Sequence, residues 1–131
     1  MKWGGDMYLT KHFNSEEFAC QCGCNTGNIM QNLVLKLEEV RVAIDRPMKI
    51  NSGIRCLNHN RSIGSSDTSS HIKGIAADIG CTFMSERLEL MTEFVKHFKR
   101  IGIHKDFIHV DIDTDKRNGI FIYHMDIRSR N

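Results

Sequence analysis

The sequence predicts an α+β domain in which helices pack on a small, largely antiparallel sheet. Two segments, "NIMQNLVLKLEEVRVAID" and "SERLELMTEFVKHFKRIG", repeat apolar residues at helical spacing. Two late segments, "FIHVDID" and "GIFIYHMD", alternate apolar and polar residues as strands do. A length of 131 residues, 40% hydrophobic and 26% charged, suits one domain around one core.

Each element has a local cause. In "HFNSEEFACQCGC", Ser15 followed by Glu16 and Glu17 predicts a capped helical turn, which the Cys-Gly cluster ends. Ile29, Leu33, Leu37, Val40 and Ile44 form the stripe of a first long helix, and Pro47 stops it. "MKINSGIR" predicts a short strand running into a turn at Ser52-Gly53. The polar, Ser-rich residues 57–70 predict a loop. "GIAADIGCTF" predicts a mostly buried strand. Ser85 is expected to cap a second helix with Leu88, Met91, Val95 and Phe98 on one face, and Gly102 to occupy its C′ position. "FIHVDID" and "GIFIYHMD", joined by "TDKRN", predict an antiparallel hairpin.

Charge and composition narrow the partners. A net charge of +2, with bases scattered among acids, gives no electrostatic footprint for nucleic acid. No apolar run approaches the roughly 18 residues a membrane helix needs, so membrane insertion is not expected. The start, "MKWGGDMYLTKHFNS", has no apolar h-region, which predicts synthesis in the cytoplasm without a signal peptide. With no linker or internal repeat in view, residues 1–131 are expected to form one monomeric domain. Its parts are a Cys-rich N-terminal segment, 1–27, and a core, 28–131.

The chemistry concentrates in "SSHIKGIAADIG", residues 69–80. His71 precedes Asp78 by seven residues, too far for adjacent turns of one helix. Gly74 permits a sharp turn, and the small Ala76 and Ala77 permit close backbone approach, so Asp78 can face the same point as His71. His109, in "DFIHVDID", supplies a third donor. Two His and one carboxylate are a common catalytic zinc set with a fourth position left for water.

Taken in order, "SGIRC", "SSHIKGIAADI" and "DFIHVDI" resemble peptidase family M15, the zinc D-Ala-D-Ala carboxypeptidases and L,D-endopeptidases. The likeness runs from about "YLTKHFNSEEFACQCG" to "HVDID" and is nearest to the compact single-domain branch that includes phage endolysins. It implies a hedgehog/D-Ala-D-Ala-peptidase-like fold and one catalytic zinc held by His71, Asp78 and His109. It also implies that Arg55 binds the substrate carbonyl and stabilises the oxyanion, a task suited to a permanently charged planar fork. Ser69 matches a position that hydrogen-bonds substrate or orients the site. Asp106, three residues before His109, stands where the family carries a Glu as general base. Aspartate is one methylene shorter, so its reach is less by roughly 1.5 Å. His104 is a rival base nearby, and Asp111 is expected to orient His109 or cap backbone groups rather than bind metal.

The resemblance therefore implies a zinc peptidase acting on peptidoglycan stem peptides, either removing a terminal D-Ala or cutting within the stem, at the cell wall. The alternative is a catalytically weak or inactive domain of the same fold that binds cell wall or belongs to a virion. The five cysteines are an odd number. Cys20, Cys22 and Cys24 could join Cys56 or Cys81 around a structural zinc, but C-x-C-x-C is not the C-x2-C spacing of common zinc ribbons. Reduced thiols are expected instead of a second zinc, with Cys56 and Cys81 packing against each other. His12, His97 and His124 are expected at the surface.

Overall fold

The computed structural model describes residues 7–124. A single 3-10 turn, Ser15–Phe18, opens the fold. Its cap is Asn14 rather than the expected Ser15: the Asn14 side chain accepts from the backbone of Glu16 and Glu17, and the Glu17 carboxylate returns the bond to Asn14 N–H. Ser15 is buried, and its hydroxyl accepts from the backbone N–H of Met7 at 3.2 Å.

Helix α1, Gln31–Ile44, buries Leu33, Val34, Leu37, Val40 and Ile44. It ends at Asp45, which takes the left-handed conformation, two residues before Pro47. Strand β1, Ile50–Ser52, follows, and then helix α2, Leu57–Ser62, lies where a loop is expected. This short helix is capped by the Cys56 thiol, which accepts from His59 N–H at 3.3 Å. Strand β2 is Ala76–Gly80 and helix α3 is Met84–His97.

Helix α3 departs from expectation in three ways. Its first turn has no side-chain cap, because Ser85 already lies inside the helix and Phe83 occupies the cap position. It buries Leu90 and Phe94, whereas Leu88 and Val95 are exposed. Gly102 is not its terminus but belongs to strand β3, Arg100–Ile103. Strands β4, Phe107–Asp111, and β5, Gly119–Ile122, complete the fold.

Among the described residues, five strands lie in the order β1-β2-β4-β3-β5. All pairings are antiparallel except β3 with β5, which run parallel. The expected hairpin between β4 and β5 does not form: β4 pairs with β2 and β3, and β5 crosses to the far side of β3. The end of the predicted second hairpin strand, Met125 and Asp126, lies outside the described residues.

Strand alternation separates two jobs. Ala77, Ile79, Ile101, Ile108 and Val110 join the core, together with Leu33, Leu37 and Phe94 of the packed helices α1 and α3. The intervening residues Asp78, Gly102 and His109 share the opposite face, where Asp78 and Gly102 are the direct register partners of His109. Among the described residues, no helix is long and apolar enough to cross a membrane.

Candidate metal centre

His71 sits at the end of the Ser-rich segment, in a turn that closes onto α1. Gly74 makes that closure possible: it has φ +74°, and an added Cβ would lie 2.2 Å from the carbonyl oxygen of Asn28. A second anchor lies behind the turn. Asp113, almost fully buried, accepts from Ser70 Oγ at 2.7 Å and from Lys73 Nζ at 3.0 Å, tying the His71 segment to the end of β4. Burial opposes ionisation of Asp113, but these hydrogen bonds outweigh it and lower the carboxyl to about 2.

His71, Asp78 and His109 come together as expected, all three buried. Asp78 Oδ1 lies 3.2 Å from His71 Nε2 and 2.9 Å from His109 Nδ1. The far nitrogen of each ring is also engaged, since His71 Nδ1 meets the Gly53 carbonyl and His109 Nε2 meets Asp111 Oδ2, both at 2.7 Å. Gly53 has its own packing constraint, because an added Cβ would lie 2.8 Å from the backbone of Phe18.

Those partners decide what the ring nitrogens must do. A carbonyl and a carboxylate only accept, so His71 Nδ1 and His109 Nε2 are donors. The inner nitrogens then face Asp78, another acceptor. A second proton on each ring would place two imidazolium charges on rings whose centroids are 5.2 Å apart. No second proton would aim two lone pairs at a carboxylate. A divalent cation held by His71 Nε2, His109 Nδ1 and Asp78 Oδ1 removes both conflicts. The donor separations agree with tetrahedral zinc, whose ligand atoms lie about 3.3 Å apart at bond lengths of roughly 2.0–2.1 Å. The outer donors to a carbonyl and a carboxylate are the usual support for metal-bound histidines.

Electrostatics follow the same geometry. Burial disfavours the Asp78 carboxylate, but the adjoining His109 and His71 rings hold its pKa well below the ordinary range. Burial likewise opposes charge on His109, yet Asp111 and Asp78 raise its pKa. Asp111 orients His109, as expected, and is held in turn by Arg100 Nε at 2.8 Å.

Arg55 lies beside this cluster. Its Nη2 is 3.8 Å from Asp78 Oδ2, and its Nη1 donates to Asn60 Oδ1 of α2 at 3.1 Å. Arg55 Nε is buried with no hydrogen-bond partner among the described residues. A cleft of about 260 Å³ opens over the cluster, lined by Arg55, Ser69, His71, His109, Phe121 and Tyr123 among others. Ser69 Oγ accepts from the backbone N–H of His71 at 3.2 Å, so it supports the ligand segment as well as lining the cleft.

Asp106 sits differently. It lies in the turn between β3 and β4, its side chain is 51% exposed, and Lys105 Nζ donates to it at 3.0 Å. His104, the rival base, stacks on Phe107 with centroids 4.3 Å apart and meets Tyr123 edge-on.

Sequence reasoning missed the aromatic wall. Phe121 and Tyr123 reach the cleft because β5 runs beside β3, with Phe121 directly opposite Gly102. Burial raises the pKa of the Tyr123 phenol, with the Asp78 charge adding to it, so the hydroxyl is a neutral donor. The cysteine expectation also needs correction. Cys56 does not pack on Cys81 but joins Cys20, Cys22 and Cys24, while Cys81 Sγ lies 4.0 Å from the Phe83 carbonyl. His12 and His97 are partly exposed and pair with Glu38 and Glu39 of α1, and His124 is exposed.

Comparison with known proteins agrees with the geometry. No curated protein gives a significant match. A family model described as peptidase M15 matches residues 11–111, a stretch that contains Arg55, His71, Asp78 and His109 and covers well over half of the chain. A buried His-Asp-His cluster beside an arginine, within a match of that extent, makes this chain a member of the peptidase M15 family.

Proposed function

We propose that the protein is a zinc-dependent hydrolase of peptide bonds in peptidoglycan stem peptides, acting at the cell wall as a D-Ala-D-Ala carboxypeptidase or an endolysin-type endopeptidase. The observation that carries this reading is the convergence of three donor atoms beside Arg55, under a cleft that His71, His109 and Arg55 line, in an M15 chain. Zinc, when held by His71, Asp78 and His109, supplies a Lewis acid and lowers the pKa of a bound water. The protein's own residues do the rest. Arg55 presents a buried, unshared Nε–H, and its guanidinium stabilises the negative charge that develops on the substrate carbonyl oxygen. Tyr123, which also lines the cleft, offers a second donor that is neutral. Ser69 holds the His71 backbone and meets substrate.

Asp106 is the base in this reading. Its ion pair with Lys105 is exposed, and pairs of that kind contribute at most about 1 kcal/mol, so Lys105 holds the carboxylate only weakly. The same exposure supports the second reading, a catalytically weak domain that binds cell wall or sits in a virion. One experiment separates them. The full chain, loaded with zinc, is incubated with purified peptidoglycan, and the products are identified by mass spectrometry, with and without a chelator. Free D-Ala means carboxypeptidase activity, and cut stems mean endopeptidase activity. Cell-wall sedimentation without any new peptide terminus would sink the enzymatic reading and leave the binding one.

A further inference from the structure

The N-terminal segment and the β1–α2 connection meet at four sulfurs. Cys20, Cys22, Cys24 and Cys56 place their Sγ atoms all within 4.8 Å of one another. The Cys20–Cys22 separation is 3.5 Å and the Cys22–Cys56 separation 3.6 Å. Tetrahedral zinc with four thiolates, at about 2.3 Å each, has sulfurs about 3.8 Å apart. The cluster is therefore already at the size of a tetrathiolate cage.

Two backbone amides are aimed at its sulfurs. The backbone N–H of Cys56 points at Cys20 Sγ, 3.4 Å away, and that of His59 at Cys56 Sγ, 3.3 Å away. Amide donors aimed at sulfur stabilise negative charge there. Thr26 Oγ1 lies 2.9 Å from Cys24 Sγ and adds a third neighbouring polar group. All five cysteines are unbridged. Three ligands on one tight loop and one 32 residues later form a pattern that spacing rules for zinc ribbons do not contain, yet the fold completes it.

We infer that Cys20, Cys22, Cys24 and Cys56 bind a second, structural zinc ion, distinct from the His71–Asp78–His109 centre, and that this ion clamps the N-terminal segment onto the strand exit carrying Arg55. The clamp acts on both neighbours of Arg55. Ile54 N–H donates to the Phe18 carbonyl at 2.8 Å on one side, and the Cys56 amide faces the cage on the other. Cys56 also starts α2, whose Asn60 accepts from Arg55. Zinc at the cysteines thus fixes the backbone from which the guanidinium extends. Coordination releases the remaining thiol protons to solvent and leaves the zinc oxidation state unchanged.

The test uses the full chain with His71→Ala and His109→Ala combined, purified under reducing conditions. Cobalt(II) is titrated in, then displaced by zinc. The expected result is one equivalent of cobalt bound with an intense thiolate-to-cobalt charge-transfer band, and one zinc per chain by elemental analysis after exchange. Wild type should bind two equivalents. Adding Cys22→Ser and Cys24→Ser to the double-His variant should abolish the band. Because the His variant retains every cysteine, the readout does not depend on a cysteine variant folding. Wild-type protein that binds cobalt without a thiolate band overturns the inference, as does a Cys22–Cys56 disulfide in protein kept reduced. Either result leaves the peptidase reading standing, since that reading depends on the His site alone.

Discussion

The two ligand clusters are built on opposite principles. His71, Asp78 and His109 draw on the sheet: Asp78 and His109 face each other across β2 and β4, interior strands whose other face is core. Each ring is fixed from behind by Gly53 or Asp111. Cys20, Cys22, Cys24 and Cys56 belong to loops and a helix cap, and only Cys20 among them is buried. In the first cluster the fold would hold the metal; in the second the metal would hold the fold. A preformed site binds without reorganisation, whereas a loop-borne one couples binding to ordering.

The largest effect that can break this contrast is His109→Ala. It is expected to abolish peptide hydrolysis and remove one metal, with the thermal unfolding midpoint of the cysteine-bound segment little changed; loss of all metal would mean the clusters are not independent. Next comes Arg55→Ala, expected to lower kcat by about 10²–10³-fold, the usual cost of one oxyanion donor, with metal content intact. Arg55→Lys keeps the charge but loses the fork, so a near-normal rate for it would exclude directional recognition.

Asp111→Asn sharpens the contrast further. It weakens the hydrogen bond behind His109, and zinc affinity at that centre is expected to fall about 10–100-fold by competition with a chromophoric chelator. The cobalt–thiolate band should not move. The smallest effect concerns Asp113, which ties Ser70 and Lys73 together behind His71. Its folded-state pKa of about 2 lies below the ordinary 3.8, so its stabilisation is complete above roughly pH 4 and lost as pH falls through 2. That contribution is on the order of 2 kcal/mol, and Asp113→Asn should flatten the acid limb of thermal stability measured between pH 5 and pH 2.

The sequence made the sheet-borne centre legible because its donors lie in short blocks with fixed neighbours. Gly74, Ala76 and Ala77 announce a tight turn and close packing, and Asp78 and His109 each sit mid-strand. Helix α1 was legible for the same local reason, an unbroken stripe ending at Ile44 before Pro47. What failed was non-local. Strand β3 follows α3 after two residues and contains Gly102, so Arg100–Ile103 looks like a frayed helix end. The parallel pairing of β5 with β3 leaves no turn signature, whereas "TDKRN" imitates one. Leu88 and Val95 share a helical face with Met91, but burial favours the face of Leu90 and Phe94. The sequence leaves Cys56 and Cys81 as equal candidates to join Cys20, Cys22 and Cys24, and the choice of Cys56 is non-local, following from contacts such as that of Phe18 with Ile54.

Gly102 has a consequence for the shape of the cleft. A Cβ built there would meet the Phe121 ring at 2.4 Å and the Tyr123 ring at 3.0 Å. The two aromatic rings can lie across the sheet beside His109 only because that one strand position carries no side chain. A single methyl group at a residue that ligates nothing and lines no cleft would therefore displace the aromatic wall. The shape of the cleft wall beside His109 is thus set by an atom that is missing from the neighbouring strand.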